Sequence, residues 1–310
     1  MRILVTGATG VIGRRLVPLL CDAGHNVTAA VRSRARAGRL SRQGAAVAEV
    51  DLFDRSAVQR AVAGHDAVVN LATHIPKPSR ILLPWAWSEN DRLRRAASAA
   101  LVDACLASDV SRFIQESFAP VYPDRADRWI DETTPIEPVR YNRSVTDAEA
   151  SARRFSRAGR TGLIVRFGGF YGPDADQTIE LIRMVRKGWA LLPGPEGAFI
   201  SSISHDDAAA AVAATLTIPA GVYNVVDDEP VTHRVFVNSL AQTLGVGPPR
   251  LPPVWLTPLF GSIGKMAARS LRISNRKLRS ASGWKPRVPS VREGWLDVVA
   301  GIEARRLTAA

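Results

Sequence analysis

Residues 6–13, TGATGVIG, constrain the fold of this chain more tightly than any other stretch. They follow RILVT, an apolar run of strand length at residues 2–6, and lead into apolar positions at helical spacing from Val11 to Leu20. Gly7, Gly10 and Gly13 stand at spacing three, where a backbone without Cβ can turn sharply and approach a pyrophosphate. The anion then sits on the free amides and positive dipole end of the helix N-terminus. A glycine triplet alone is a weak signal. Its place between a strand and a helix makes it a dinucleotide cradle, with Thr9, Val11 and Ile12 filling the turn.

The alternation continues along the chain. HNVTAAVR, AAVAEVDL, DAVVNLAT, SRFIQESF and TGLIVRFGGF read as strands two to six, separated by helical patterns such as DRSAVQRAVAG and NDRLRRAASAALVDACLAS. Strands alternating with helices pair in parallel through right-handed crossovers, so the fold class is α/β, a Rossmann-type doubly wound parallel sheet. After about residue 170 the pattern gives way to proline- and glycine-rich loops, LLPGPEGAF and GVGPPRLPPVWLTPLFG. The expected organisation is a dinucleotide-binding domain over residues 1–172, to which 204–226 returns a helix and a strand. Residues 173–310 then form, in the main, a smaller C-terminal substrate-binding lobe.

In such a sheet the end of the second strand selects the dinucleotide. A carboxylate there bonds the ribose 2′-hydroxyl of NAD, whereas arginine accommodates the 2′-phosphate of NADP. AAVRSRAR places Arg32 at that point, followed by Arg34, so NADP(H) is favoured over NAD(H). Asp51 and Leu52, after the third strand, are placed to meet adenine. Leu71, Ala72 and Thr73, after the fourth, should line the ribose and nicotinamide cleft, with Phe167 at the end of the sixth.

Composition removes several alternatives. The net charge of +12 comes almost wholly from arginines scattered through every segment, without the single basic stripe that nucleic acid requires, so no nucleic-acid partner is expected. No apolar run reaches the roughly 18–20 residues of a membrane span, and the N-terminus runs straight into a strand; no membrane association and a cytoplasmic location are expected. The stretch VWLTPLFGSIGKMAARSLRIS reads as a lid or wall of a substrate pocket, because its prolines break a surface helix. Cys21 and Cys105 lack metal-ligand spacing, and no metal site is expected.

Further segments, in order, are DLFD, AVVNLA, APVYPD, IDETTPIEP, YNRS, VRFGGFYGP, SHDDAAAAV, YNVVDDEPVT and RISNRKLRSASGWKPRVPSVREG. Together with TGATGVIG they make the chain resemble the extended branch of the short-chain dehydrogenase/reductase superfamily, the NAD(P)-dependent epimerase/dehydratase family. The resemblance runs from residue 3 to about 294. It implies a tyrosine that exchanges a proton at the reacting oxygen, a lysine four residues later that lowers its pKa, and an upstream serine or threonine. Tyr141 matches the tyrosine and Ser144 the serine before the lysine, but position 145 is Val. Ser117 stands one place off the commonest serine position, which holds Phe118.

An unperturbed phenol is ionised at pH 7 in only about one molecule in a thousand. Without the lysine, a step that needs Tyr141 as a base would lose about two to three orders of magnitude, while reduction needs the phenol only as an acid. The expected function is therefore an NADP(H)-dependent oxidoreductase or epimerase with Tyr141 as proton donor. The alternative is a catalytically weak or inactive NADP(H)-binding sensor or scaffold. The implied substrate is a small molecule, a sugar nucleotide or another carbonyl or hydroxyl compound. His74 and Lys77, in the loop after the fourth strand, and Arg272, in the second lobe, are candidates to meet it, with Arg183 and Arg276 as further cations. His205 and Asp206 read as structural, with Asp206 or Asp207 capping a helix. A homodimer through the helices after the fourth and fifth strands is the family's common assembly.

Overall fold

Consecutive residues of the first strand enter different cores: Ile3 and Val5 pack on one face of a sheet and Leu4 on the other. A strand buried on both faces belongs inside a sheet covered by helices on both sides. The computed structural model, which describes residues 1–309, has that sheet. Its seven strands are β1 (Arg2–Thr6), β2 (Asn26–Val31), β3 (Ala46–Glu49), β4 (Ala67–Asn70), β5 (Arg112–Phe118), β6 (Thr161–Phe167) and β7 (Gly221–Val225). They lie in the spatial order 3-2-1-4-5-6-7, and every neighbouring pair is parallel. The Rossmann-type sheet expected from the alternation is the one formed.

Helix α1 (Gly13–Asp22) covers one face through Leu16, Val17 and Leu20. Helices α2 (Arg55–Val62), α3 (Ser88–Arg92), α4 (Ser98–Leu106) and α5 (Val145–Arg157) follow β3, β4 and β5. Val58, Val62, Leu101, Val102 and Phe155 bring α2, α4 and α5 onto the opposite face. Between α3 and α4, residues Leu93–Ala97 form a π-helical turn, the kind of bulge that recurs at functional sites.

Helix α6 (Asp176–Arg186) begins the remainder of the chain, and α7 (His205–Ala214) returns to the sheet, packing beside α1 before the chain enters β7. Helices α8 (His233–Thr243) and α9 (Val291–Ala309) then build a separate core with α6 from Ile182, Val185, Phe236, Val237, Leu240 and Trp295. Among the described residues, no helix is long and apolar enough to cross a membrane.

Candidate active site

Strand order reverses between β1 and β4, and the loops leaving them part there into a cleft of about 910 Å³. Its lining includes nine of the residues read from the sequence as cofactor contacts: Gly7, Thr9, Gly10, Arg32, Asp51, Leu52, Leu71, Ala72 and Thr73. The glycines are sterically required. Gly7 has φ +66°, and a Cβ there would overlap the Leu71 carbonyl; a Cβ at Gly13 would overlap the backbone of Gly7 and Ala8. Two backbones are thus as close as they can come, which leaves Gly7, Thr9 and Gly10, just ahead of α1, on the wall of the cleft. That arrangement fits a pyrophosphate.

Val11, Ile12 and Gly13 stand behind this lining at the start of α1, and Ile12 is in the core. Phe167 also lies outside it, buried with its ring 5.1 Å from that of Phe170. Arg34 is exposed and outside the lining. Two carboxylates that sequence reading did not single out, Glu49 and Glu89, do line the cleft.

The stretch from Glu89 to Arg94 leads from this cleft to Tyr141. Glu89 and Leu93 face the cleft, while Asp91 and Arg94 act electrostatically on the phenol. Tyr141 stands on a 3₁₀ turn, Arg140–Asn142, just ahead of α5, and its ring meets Trp87 edge-on with 4.4 Å between centroids. Burial raises the phenol's pKa well above its ordinary value. Arg94 offsets part of this, and the carboxylates of Glu116 and Asp91 add to it. Arg94 is itself held by Glu116 at 3.0 Å in a buried pair, so its charge is largely compensated. Val145, the first residue of α5, is fully buried and brings no cation.

Ser117 has a different setting from the one expected of a substrate-polarising serine. It is fully buried, and its hydroxyl donates to Glu149 Oε1 at 2.7 Å. The Arg166 guanidinium clasps the same carboxylate with Nε at 2.7 Å and Nη2 at 2.8 Å, and Arg153 adds a third contact at 2.8 Å. From Arg166 the chain of bonds continues to the Tyr122 hydroxyl at 2.7 Å, which donates to Asn224 at 2.9 Å. Burial alone would raise the pKa of Glu149, but the bonds and charge of Arg166, with Ser117 and Arg153, hold it below the usual carboxylate range. This network ties β5, β6, β7 and α5 together beneath the tyrosine turn.

Comparison with known proteins fits this geometry. The sequence profile of a family described as NAD(P)H-binding matches residues 7–219. A 3-diazoavenalumate denitrifying reductase from a Streptomyces species is 36% identical, the alignment covering 95% of this chain and 99% of that protein. The chain belongs to the extended short-chain dehydrogenase/reductase family. This family member is also 26% identical to the 4-hydroxy-2-methyl-3-oxo-4-farnesyl-3,4-dihydroquinoline-1-oxide ketoreductase of Stigmatella aurantiaca, over 99% of this chain and 88% of that one. Among solved structures, the UDP-glucose 4-epimerase of Thermus thermophilus in complex with NAD superposes with a TM-score of 0.78 at 25% identity, covering 98% and 99% of the two chains. The chain is an NAD(P)-dependent oxidoreductase or epimerase by kinship as well as by fold.

The remaining candidates of this dehydrogenase/reductase chain fall in several places. The His74 backbone donates to Asn90 Oδ1 at 2.9 Å, and its half-exposed ring lies 3.5 Å from Glu89; Lys77 is exposed before a short 3₁₀ turn. Arg272 lies over two aromatic rings, 4.4 Å from Trp129 and 5.1 Å from Phe199, and donates to the Asp127 carbonyl at 3.1 Å. His205 bonds Asp174 at 3.0 Å, and a Cβ at Gly172 would overlap its ring. The cap of α7 is Ser204, whose hydroxyl accepts the Asp207 amide at 3.1 Å. Asp207 instead anchors the C-terminal segment through the amides of Arg287 at 2.7 Å and Val288 at 3.2 Å. Asp206 pairs with Arg15 at 2.5 Å. The Ser204 cap is local, but the contacts of Asp206, Asp207 and Arg272 join residues far apart in sequence, which is why local pattern could not reveal them.

Proposed function

We propose that this chain is a reductase that uses NADP(H) in preference to NAD(H) and acts on a carbonyl, or a comparably electron-poor carbon, of a largely apolar small molecule. The bound dinucleotide supplies the hydride. Tyr141 donates the proton to the oxygen as it gains charge. The setting of Tyr141 carries this reading: a phenol against Trp87, with its pKa raised, remains protonated and serves as a donor but is a poor base. The protonated phenol is the form that carbonyl reduction draws on. The buried valine at position 145, where related enzymes by resemblance carry lysine, supplies no cation to lower its pKa.

The surroundings favour an apolar acceptor over a sugar nucleotide. The segment carrying Trp87 exposes Leu82 and Trp85. On the other side, the helix Gly261–Ala267 packs against the tyrosine turn and the 3₁₀ segment Val254–Phe260, which exposes Val254, Trp255 and Leu259. Two of the arginines considered for a diphosphate are otherwise engaged: Arg272 with its two rings and Arg183 with Glu180 at 3.2 Å. Arg94 Nε and Glu116 Oε2, buried beside the phenol and without partners among the described residues, give this end of the site its polar functionality. The ketoreductase relative, whose named substrate carries a farnesyl chain, supports the same class.

A second reading is favoured by Val145 and the denitrifying relative. A diazonium carbon that accepts hydride forms a C–H bond and expels dinitrogen, so no oxyanion appears and no proton is needed from the protein. A site with a weak proton carrier is suited to such an acceptor.

The test is a binding titration with NADPH, NADP⁺, NADH and NAD⁺, followed by NADPH consumption assays on apolar ketones and aryl diazonium compounds and a product assay for epimerised or oxidised sugar with UDP-glucose and NAD(P)⁺. Tight binding of both NADP forms with turnover of an apolar acceptor is expected. Turnover of UDP-glucose alone would sink the substrate class. Binding of a single redox form without turnover of any acceptor would favour a sensor.

A further inference from the structure

Arg32, at the C-terminal edge of β2, does not stand free to receive a phosphate. Its Nη1 lies 2.9 Å from Oε1 of Glu89, in the first turn of α3, and both residues line the same cleft. The same carboxylate oxygen is 3.5 Å from Nδ1 of His74. One turn further on, the Arg92 guanidinium lies 3.7 Å above the ring of Phe53, another cleft residue. The start of α3 is thereby fastened to both flanks of the adenosine end, to β2 through Glu89 and to the loop after β3 through Arg92.

Charge gives this clasp a consequence for cofactor choice. Among the described residues lining the cleft, Arg32 is the single cation, facing Glu49, Asp51 and Glu89. A ribose 2′-hydroxyl leaves the Arg32–Glu89 pair undisturbed. A 2′-phosphate, with about −1.5 to −2 charges near pH 7, draws on the same guanidinium and is repelled by the Glu89 carboxylate paired with it. We propose that Glu89 is a specificity-determining residue that competes with the 2′-phosphate for Arg32 and so narrows the preference for NADP(H) over NAD(H). His74 is the alternative partner to which the displaced carboxylate can turn.

This inference rests on the proposed dinucleotide-dependent function, and a binding measurement separates the two. Dissociation constants for NADPH and NADH are measured on the full chain with wild type, Glu89→Gln, Arg32→Gln and the double variant. The Glu89 side chain is 42% exposed in its pair, so the isosteric change leaves packing intact. Glu89→Gln is expected to tighten NADPH binding about three- to tenfold, the scale of an exposed ion pair plus relieved repulsion, with NADH within about twofold. Arg32→Gln should weaken NADPH, and the gain from Glu89→Gln should vanish in the double variant. Equal effects on both dinucleotides, no effect on either, or a gain that survives without Arg32 would overturn the role of Glu89 while leaving dinucleotide binding in place. Wild type that binds neither dinucleotide would overturn both.

Discussion

The ring of Tyr141 meets the indole of Trp87 edge-on, 4.4 Å between centroids, at the point where the turn before α5 approaches the segment before α3. The contact orients the phenol, and its burial keeps it protonated. With its pKa raised above the ordinary value near 10, the phenol does not lose its proton below that pH. Carbonyl reduction should therefore show no alkaline decline from Tyr141 between about pH 7 and 10. Tyr141→Phe should lower kcat for reduction by about 10²–10⁴-fold, with the NADPH dissociation constant nearly unchanged. A pH–rate profile with both enzymes checks this; a decline centred near pH 7 that disappears in the variant would contradict it.

Val145→Lys should trade stability for base chemistry. The position is fully buried, so an ammonium there carries a desolvation cost and the melting temperature should fall. Each unit by which it lowers the phenol pKa favours ionisation about tenfold, so NADP⁺-dependent alcohol oxidation should rise by at least about that factor. Thermal melts and initial rates in the oxidative direction test the two halves separately.

Glu149→Gln is expected to be among the more damaging single changes in the sheet domain. It removes the compensating charge from Arg166, whose side chain is 3% exposed and cannot recover its hydration. Breaking such a pair costs about 3–5 kcal/mol, or roughly 5–15 °C in melting temperature for a chain of this size. Calorimetry would show the loss, and Ser117→Ala, which removes only one donor to the same carboxylate, should cost about 1–2 kcal/mol.

Acid stability should depend on Asp174. Burial by itself would raise its pKa, but bonds from His205 and Arg15 and the charges of Arg15 and Arg14 hold it well below the usual carboxylate range. A depressed folded-state pKa contributes stability above the unfolded value near 4, and that contribution is lost as pH falls below it toward the folded value. Urea midpoints of the wild type should fall steeply below about pH 4. Asp174→Asn should be less stable at pH 7 and show a shallower acid decline.

Gly7→Ala and Gly10→Ala should differ. The first places a Cβ into the Leu71 carbonyl at positive φ, whereas the second brings one to 3.1 Å from the Gly7 carbonyl. Gly7→Ala should abolish dinucleotide binding and lower stability; Gly10→Ala should weaken binding with a smaller loss. Titration and thermal melts of the two proteins distinguish these outcomes.

The lining of the cleft was legible in the sequence because its parts follow short-range rules. Glycine spacing fixes the turn after β1, and strand ends in a parallel sheet all point to one edge, so Arg32, Asp51 and Leu71 could be placed from pattern alone. The ion pairs were not legible. Arg32 and Glu89 are 57 residues apart, and Arg166 reaches Glu149 only because β5 and β6 bring their strand ends together over α5. Ser117 shows the limit most clearly. Its type and position suggested a substrate contact, but the partner its hydroxyl finds is the carboxylate of a later helix.

The contacts around Asp174 also have a consequence for the order in which the molecule is completed during synthesis. Helix α1 leaves the ribosome well before Asp174, the carboxylate that Arg14 and Arg15 share, and that carboxylate is completed by His205 of α7. The strand that follows α7 forms the edge of the sheet beside β6. The dinucleotide-binding half therefore stays unfinished until the chain has been translated through β7, and a nascent chain stopped before residue 174 would carry its glycine cradle on a helix whose Arg14 and Arg15 still lack the Asp174 carboxylate.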